Sequence, residues 1–137
     1  MAGATYVLDK TYKITAAAGV GRFLAVVPAV NDGDCQLPTG ANQVSYGLTQ
    51  EAQPTQNENV IVRKYGISRA VANGAINKGD YVEIAGVSGN LQTANLTTIP
   101  AASTLHNVLG IAESSATALG QIFFVFLSPN PVVVPKV

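Results

Sequence analysis

Apolar and polar residues alternate with a period of two along much of the chain, which is the pattern of β-strands rather than of helices. Residues 5–15 show it most clearly, with the apolar side chains Tyr6, Leu8, Tyr12 and Ile14 at even positions. Side chains two positions apart lie on the same face of a strand. The segment is therefore predicted to be a half-buried strand or an extended arm laid on another surface.

Strand-like segments recur at residues 23–27, 60–65, 81–84 and 122–127, separated by short stretches rich in Gly, Asn, Asp and Pro. Gly and Asn supply the positive φ angles of tight hairpin turns. Many short strands with such turns predict an all-β fold, either a compact β-barrel or a β-sandwich of short antiparallel strands. The last segment is apolar at every position, so we expect it to fill the core, with Phe124 inside.

The sequence also contains a weak internal repeat. When Gly47 is aligned with Gly110, residues 46–50 match residues 109–113, and residues 60–62 then fall on residues 123–125 without a gap. Each copy consists of a glycine between apolar residues, a small or polar stretch, and a strong strand. Two copies are too few for a solenoid, so we predict a pseudo-symmetric barrel or sandwich built from two similar β units.

The two ends of the chain differ from its middle. We predict an extended N-terminal arm over residues 1–19, a β-rich core domain over residues 20–128, and a Pro-rich C-terminal tail over residues 129–137. The tail contains three prolines, which exclude it from a central strand and favour an extended, polyproline-like conformation. Its apolar Val132, Val133 and Val134 predict that it docks on its own domain or on a neighbour.

The charge content limits the possible partners. Only 12% of the 137 residues are charged, and eight acidic and eight basic residues cancel, whereas about 25% is usual. Without clustered Lys and Arg, nucleic acid is not an expected partner. A neutral, largely apolar chain has little protection against self-association, so we expect partners to cover much of the surface. The sequence shows neither a signal peptide nor a membrane-spanning run, and we expect synthesis in the cytoplasm without a membrane partner.

Candidate residues for catalysis or metal binding are few. The single cysteine, Cys35, and the single histidine, His106, would form a nucleophilic pair only if the fold brought them together. Asp32 and Asp34 flank a glycine and offer oxygen ligands for a weak calcium site, although a plain turn is the favoured interpretation. The sequence therefore predicts no catalytic, cofactor or metal site, and a protein that is not an enzyme.

Short motifs along the chain resemble one known family. They are Gly-Leu-Thr-Gln-Glu-Ala at residues 47–52, the Lys-Gly-Asp-Tyr-Val turn and strand at 78–82, Val-Leu-Gly-Ile-Ala at 108–112, and Gly-Gln-Ile-Phe-Phe-Val at 120–125. In this order they resemble the capsid cement, or head decoration, proteins of tailed bacteriophages, over residues 20–128. The resemblance implies a β-rich, commonly trimeric domain on the outside of the expanded capsid, near three-fold positions. It also implies extended arms that bridge major capsid protein subunits, stabilisation of the shell, and no enzymatic activity.

Our leading hypothesis is thus a virion protein of the outer capsid surface whose partners are the major capsid protein and further copies of itself, as a homotrimer. The predicted partner contacts lie in the arm and the tail: Tyr6, Leu8, Tyr12, Ile14, Val132, Val133 and Val134. Two alternatives remain open. One is a phage tail or fibre component, or another virion β module, used for host-surface recognition; the other is a small hydrolase that uses Cys35 or His106.

Overall fold

The computed structural model of the chain describes residues 6–96 and 104–134. These residues form nine β-strands and no helix, which confirms the predicted all-β class. The strands are β1 (Leu8–Ile14), β2 (Ala25–Pro28), β3 (Asp34–Gln36), β4 (Gly47–Thr49), β5 (Asn59–Val71), β6 (Tyr81–Ile84), β7 (Leu91–Thr93), β8 (Thr104–Ala112) and β9 (Ile122–Val134).

The strands form two small barrels that share the long strand β5. Strands β1, β3, β2, β4 and β5 pair in that order, and β1 also pairs with β5, so the first barrel is closed. The second half of β5 continues into β9, β8, β6 and β7. A single parallel bridge between Ala72 and Leu91 joins β7 to the residue after β5, where the first barrel has the parallel pairing of β1 with β3, and this bridge closes the second barrel.

The two barrels are copies of one structural unit. Strands β5 and β9 lie 63 positions apart at both ends, as Asn59–Val71 and Ile122–Val134. Strands β2 and β6 lie 56 positions apart, as Ala25–Pro28 and Tyr81–Ile84. The residues that pair across neighbouring strands are also equivalent in the two barrels. Ala25↔Leu48 corresponds to Tyr81↔Ile111, Leu48↔Arg63 to Ile111↔Phe126, and Val20↔Gln53 to Ile76↔Ala116. The weak sequence repeat is therefore a structural duplication, as predicted.

Gly47 and Gly110, the residues that align the repeat, occupy equivalent positions with no room for a side chain. A Cβ at Gly47 would lie 2.0 Å from the carbonyl oxygen of Arg63, and one at Gly110 would lie 1.9 Å from that of Phe126. Carbon atoms in favourable contact are about 3.5–4.0 Å apart. Each barrel therefore needs a glycine where its fourth strand crosses its last strand.

Alternate side chains of β2 serve two different cores. Val26 packs inside the first barrel with Val60 and Val62. Ala25 and Val27 point to the opposite face of the strand and pack with the core of the second barrel. The contact between the barrels is therefore apolar and fully buried, and separating the barrels would expose this surface to water.

Residues 8–14, predicted as part of an arm, are strand β1 of the first barrel. This strand pairs antiparallel with β5 and parallel with β3. Tyr12 and Ile14 are 4% and 0% exposed, and the Tyr12 ring stacks on Tyr46 with 4.4 Å between the ring centroids. The expectation of an arm fails for this segment because alternation indicates a strand without indicating which sheet it joins. Residues 1–5 of the predicted arm lie outside the described residues.

The Pro-rich segment is the second half of β9 rather than a polyproline-like tail. Residues 130–134 pair with residues 104–108 of β8, and in the described structure no strand pairs with their other side. Pro129 and Pro131 have no backbone N–H, which an edge strand tolerates and a central strand does not. The prediction that this segment does not form a central strand is thus confirmed. The predicted polyproline-like conformation is wrong, because the segment is a β-strand. Residues 135–137 lie outside the described part of the chain.

Phe124 lies outside the core, contrary to the expectation for the apolar segment 122–127. Phe123 is 1% exposed and belongs to the core of the second barrel, whereas Phe124 is 45% exposed on the outer face. The segment keeps the period-two alternation of a strand with one free face. Apolar residues on both faces concealed that alternation in the sequence.

Candidate interaction surface

A row of large apolar side chains crosses four strands on the outer face of the second barrel. Ile67 on β5 pairs with Phe126 on β9, Phe126 pairs with Ile111 on β8, and Ile111 pairs with Tyr81 on β6. Directly paired residues lie on the same face of a sheet, so these four side chains form one continuous surface. Ile67, Ile111 and Tyr81 are 46%, 38% and 47% exposed, and Phe126 is half-buried. We call these four residues the apolar band.

A groove of about 370 Å³ runs beside the apolar band. Its lining combines three members of the band with side chains from the extended β8–β9 ribbon, including Val108, Pro129 and Val132. Tyr65 packs edge-on against Phe126 at the other end of the band, with 5.4 Å between the ring centroids. Contiguous exposed apolar surface of this kind is characteristic of interaction sites.

A second surface cluster is built around a strained phenylalanine. Phe23 has a φ angle of 63°, whereas the equivalent residue of the second barrel is Gly79, at 93°. The left-handed region costs a residue with a side chain roughly 1–2 kcal/mol. The Arg69 guanidinium lies 5.9 Å from the ring centroid of Phe23 and 5.7 Å from that of Phe124. Backbone strain often accompanies functional sites, so this cluster is a second candidate contact.

The structure divides the predicted contact residues into exposed and buried groups. Tyr6, Leu8 and Val133 are 80%, 56% and 60% exposed, and Val132 is half-buried in the lining of the groove. The buried group consists of Tyr12, Ile14 and Val134. Only the exposed and half-buried residues can meet a partner while the barrels stay folded.

The apolar band was absent from the sequence-based prediction. Phe126 belongs to a run that is apolar on both faces, and Ile111 is separated by Gly110 from Leu109, which is buried. The run at residues 122–127 was predicted to fill the core, and residues 108–112 were not assigned to a face. The available signal was that a strand with apolar residues on both faces needs cover on both sides, and a domain of this size cannot bury both faces of every strand.

Cys35 and His106 are held in different parts of the fold. Cys35 is fully buried in the core of the first barrel. Burial, with a smaller effect of the Asp34 carboxylate, raises the pKa of its thiol to about 11, and a protonated thiol is a poor nucleophile. His106 Nδ1 lies 2.7 Å from a carboxylate oxygen of the buried Glu83. The structure therefore does not bring the two residues together as a pair.

The acidic turn also has an internal partner. Asp34 is buried beside Lys13, with 3.5 Å between the carboxylate oxygen and the ammonium nitrogen, and the Asn31 side chain donates to the same carboxylate. Within residues 6–96 and 104–134, no group of three or more His, Cys, Asp or Glu residues is arranged to hold a metal ion. No helix suited to crossing a membrane occurs in this part of the chain.

Neither a protein-family model nor a curated protein matches the chain. Among solved structures, it is similar to the N-terminal base of the head fibre protein gp8.5 of bacteriophage phi29, with a TM-score of 0.60 and 16% sequence identity. The similarity covers 90% of this chain and 95% of the other, so it extends over both barrels. At this identity the likeness concerns the fold. The chain has the fold of the base of a phage head fibre.

Proposed function

We propose that the chain is a structural protein of a bacteriophage virion that binds the outside of the head and stabilises it by bridging major capsid protein subunits. The observation that carries this proposal is the end-to-end similarity of fold to the base of a phage head fibre. The motifs that resemble capsid cement proteins lead to the same class of protein from the sequence alone. In this proposal the working form is a homotrimer, without enzymatic activity.

The surface chemistry of the chain supports a protein that works by contact. Its formal net charge is zero and only 12% of its residues are charged, so attraction between opposite charges contributes little to binding. Large apolar side chains are exposed instead, on the apolar band and at the ends of the sheet. Three copies that bind the head together would strengthen each weak apolar contact through effective concentration.

We assign the head contact to the exposed apolar residues at the ends of β1 and β9. Tyr6 and Leu8 project at 80% and 56% exposure at the start of β1, and Val133 pairs across the ribbon with Leu105, which is 49% exposed. Deletion of residues 1–15 would remove β1 and open the first barrel, so it does not isolate the contact. Substitution of Tyr6 and Leu8 leaves the buried half of β1 intact.

The test is co-sedimentation of the full chain with purified heads that lack it. The wild-type chain should bind saturably, and Tyr6→Asp with Leu8→Asp should weaken binding by at least about tenfold, as expected for loss of exposed apolar anchors. Leu119→Asp is the matched control, because Leu119 is 66% exposed on a turn of the second barrel, and it should bind as the wild type does. A wild-type chain that stays in the supernatant at all concentrations would refute the head-binding proposal.

A second candidate is a fibre-associated module for host-surface recognition, which is favoured by one observation. The similar structure is the base of a phage head fibre. A glycan-binding screen distinguishes the two candidates. Glycan binding without affinity for heads would favour recognition, and head binding without glycan binding would favour capsid stabilisation.

A further inference from the structure

In the first barrel, the surface equivalent to the apolar band is covered by the second barrel. Ala25 and Leu48 correspond to Tyr81 and Ile111, and both are 0% exposed. They belong to the same apolar cluster as the core of the second barrel. The duplication thus contains an internal example of how this face of the unit is covered.

A turn of the second barrel provides part of that cover. The turn runs from Ala85 to Asn90, where the Ala85 N–H donates to the Asn90 carbonyl. The Gly89 carbonyl accepts a hydrogen bond from the Ala25 N–H at 2.9 Å, and a Cβ at Gly89 would lie 2.8 Å from the Ala25 oxygen. The turn is therefore in direct contact with the covered face.

Within residues 6–96 and 104–134, nothing covers the outer side of the equivalent turn of the first barrel. It runs from Ala29 to Asp34 with the same hydrogen bond between its ends, from the Ala29 N–H to the Asp34 carbonyl. Gly33 has a φ angle of 78°, against 82° at Gly89, but a Cβ at Gly33 would meet nothing within 4 Å. Val30 on this turn is 97% exposed, more than any other large apolar side chain among the described residues.

We propose that the groove beside the apolar band binds the 29–34 turn of a second copy of this chain, with Val30 against Tyr81 and Ile111. The contact would repeat between copies the arrangement that joins the two barrels within one copy. Both sides carry larger apolar side chains than their internal counterparts, since Tyr81 replaces Ala25 and Val30 replaces Gly86. Zero net charge removes the repulsion between identical chains.

This contact joins two different surfaces, so it is heterologous and each copy offers one of each. Such contacts close into rings when the rotation between copies allows it and otherwise build open chains. The inference rests on the self-association included in the proposed function, for which the expected form is a ring of three copies. Pairing through the free edge of residues 129–134 is disfavoured, because Pro129 and Pro131 lack the N–H donors that strand addition requires.

The first measurement is the solution mass of the full chain by light scattering over a range of concentrations. We expect a mass of three times the 14.1 kDa of one copy. Val30→Asp and Ile111→Lys should each weaken association by at least about tenfold, since each places a charge in an apolar contact. Val87→Asp is the matched control, because Val87 is 64% exposed on the equivalent turn, and it should leave the mass unchanged.

A disulfide test shows which surfaces meet. A Val30→Cys chain mixed with an Ile111→Cys chain should form a mixed disulfide dimer under mild oxidation, whereas Val87→Cys with Ile111→Cys should not. The native Cys35 is fully buried and does not interfere. A chain that is monomeric at all concentrations, or a mass unaffected by both charge variants, would overturn the inference.

Head co-sedimentation of the same variants separates this inference from the proposed function. If the chains associate through the 29–34 turn but do not bind heads, the self-contact is supported and the proposed function is refuted. If instead the wild-type chain is monomeric and Ile111→Lys loses head binding, the groove is assigned to a capsid partner and the self-contact is overturned.

Discussion

Three pairs of equivalent residues keep a left-handed backbone conformation in both barrels, and in two of the pairs, Phe23 with Gly79 and Asn57 with Gly120, the side chains differ. Gly33 and Gly89 have φ angles of 78° and 82°, and Asn57 and Gly120 have 65° and 87°. Glycine adopts these angles without strain, and asparagine tolerates them better than most residues. At these positions the backbone conformation is therefore kept even where the residue type is not.

Substitution of the crossing glycines should be severely destabilising. Gly47→Ala or Gly110→Ala places a Cβ about 2 Å from a backbone oxygen of the facing strand, which only a shift of the strand can relieve. We expect each to lower the free energy of unfolding by about 3 kcal/mol, at the upper end of overpacking effects. Gly40→Ala is the control, because a Cβ there meets nothing within 4 Å. Urea unfolding measures all three, and equal stability of Gly110→Ala and Gly40→Ala would contradict the crossing geometry.

The buried thiol of Cys35 should make stability depend on pH in the alkaline range. Its pKa rises from 9.0 to about 11 on burial, so the folded chain retains a proton that the unfolded chain releases. Stability from this source is complete below pH 9 and declines between pH 9 and about 11. Compared with Cys35→Ala, the wild type should therefore lose more stability over that interval in urea titrations. Parallel pH profiles of the two chains would show that the thiol does not contribute.

At the scale of strands, alternation predicted most elements but not the direction of every side chain. Residues 8–14, 60–65 and 81–84 lie in strands, as the alternation predicted. The run 122–127 left Phe123 and Phe124 indistinguishable, because a continuous apolar run carries no period. The sequence also did not reveal that β2 and β6 are equivalent at an offset of 56 positions. The later part of the repeat aligns at an offset of 63 positions. The segments between the two parts differ in length, so an alignment without gaps misses the first strands. Only the structure shows which face is covered.

The two neighbouring phenylalanines should respond oppositely to the same substitution. Phe123→Asp places an unpaired charge in the core, where Phe123 is 1% exposed, and should leave the chain unfolded. Phe124→Asp changes an exposed side chain and should leave a folded protein with nearly unchanged far-ultraviolet circular dichroism. It should reduce only the contact with Arg69. An unfolded Phe124→Asp chain would place this residue in the core after all.

The whole molecule should unfold as one unit in spite of its two barrels. Strand β5 is the last strand of one barrel and the first strand of the other, and the core of the second barrel includes Ala25, Val27 and Leu48 of the first. Loss of either barrel removes apolar cover from the other. Calorimetry should thus give a single transition with equal calorimetric and van't Hoff enthalpies. Two resolved transitions would show that the barrels are independent.

Strand β9 repeats β5 in length and in position within its unit, so it provides the same starting point that β5 provides for the second barrel. A designer could exploit this by replacing Pro129 and Pro131, which lack the N–H donors that a shared central strand needs, and appending another copy of residues 72–134 after Val134. Each insertion would lengthen the protein by 63 residues, the spacing of β5 and β9, without a new linker or a new junction. The fold is in that sense a template for rods of chosen length, in which each joint consists of a shared strand and the apolar contact beside it.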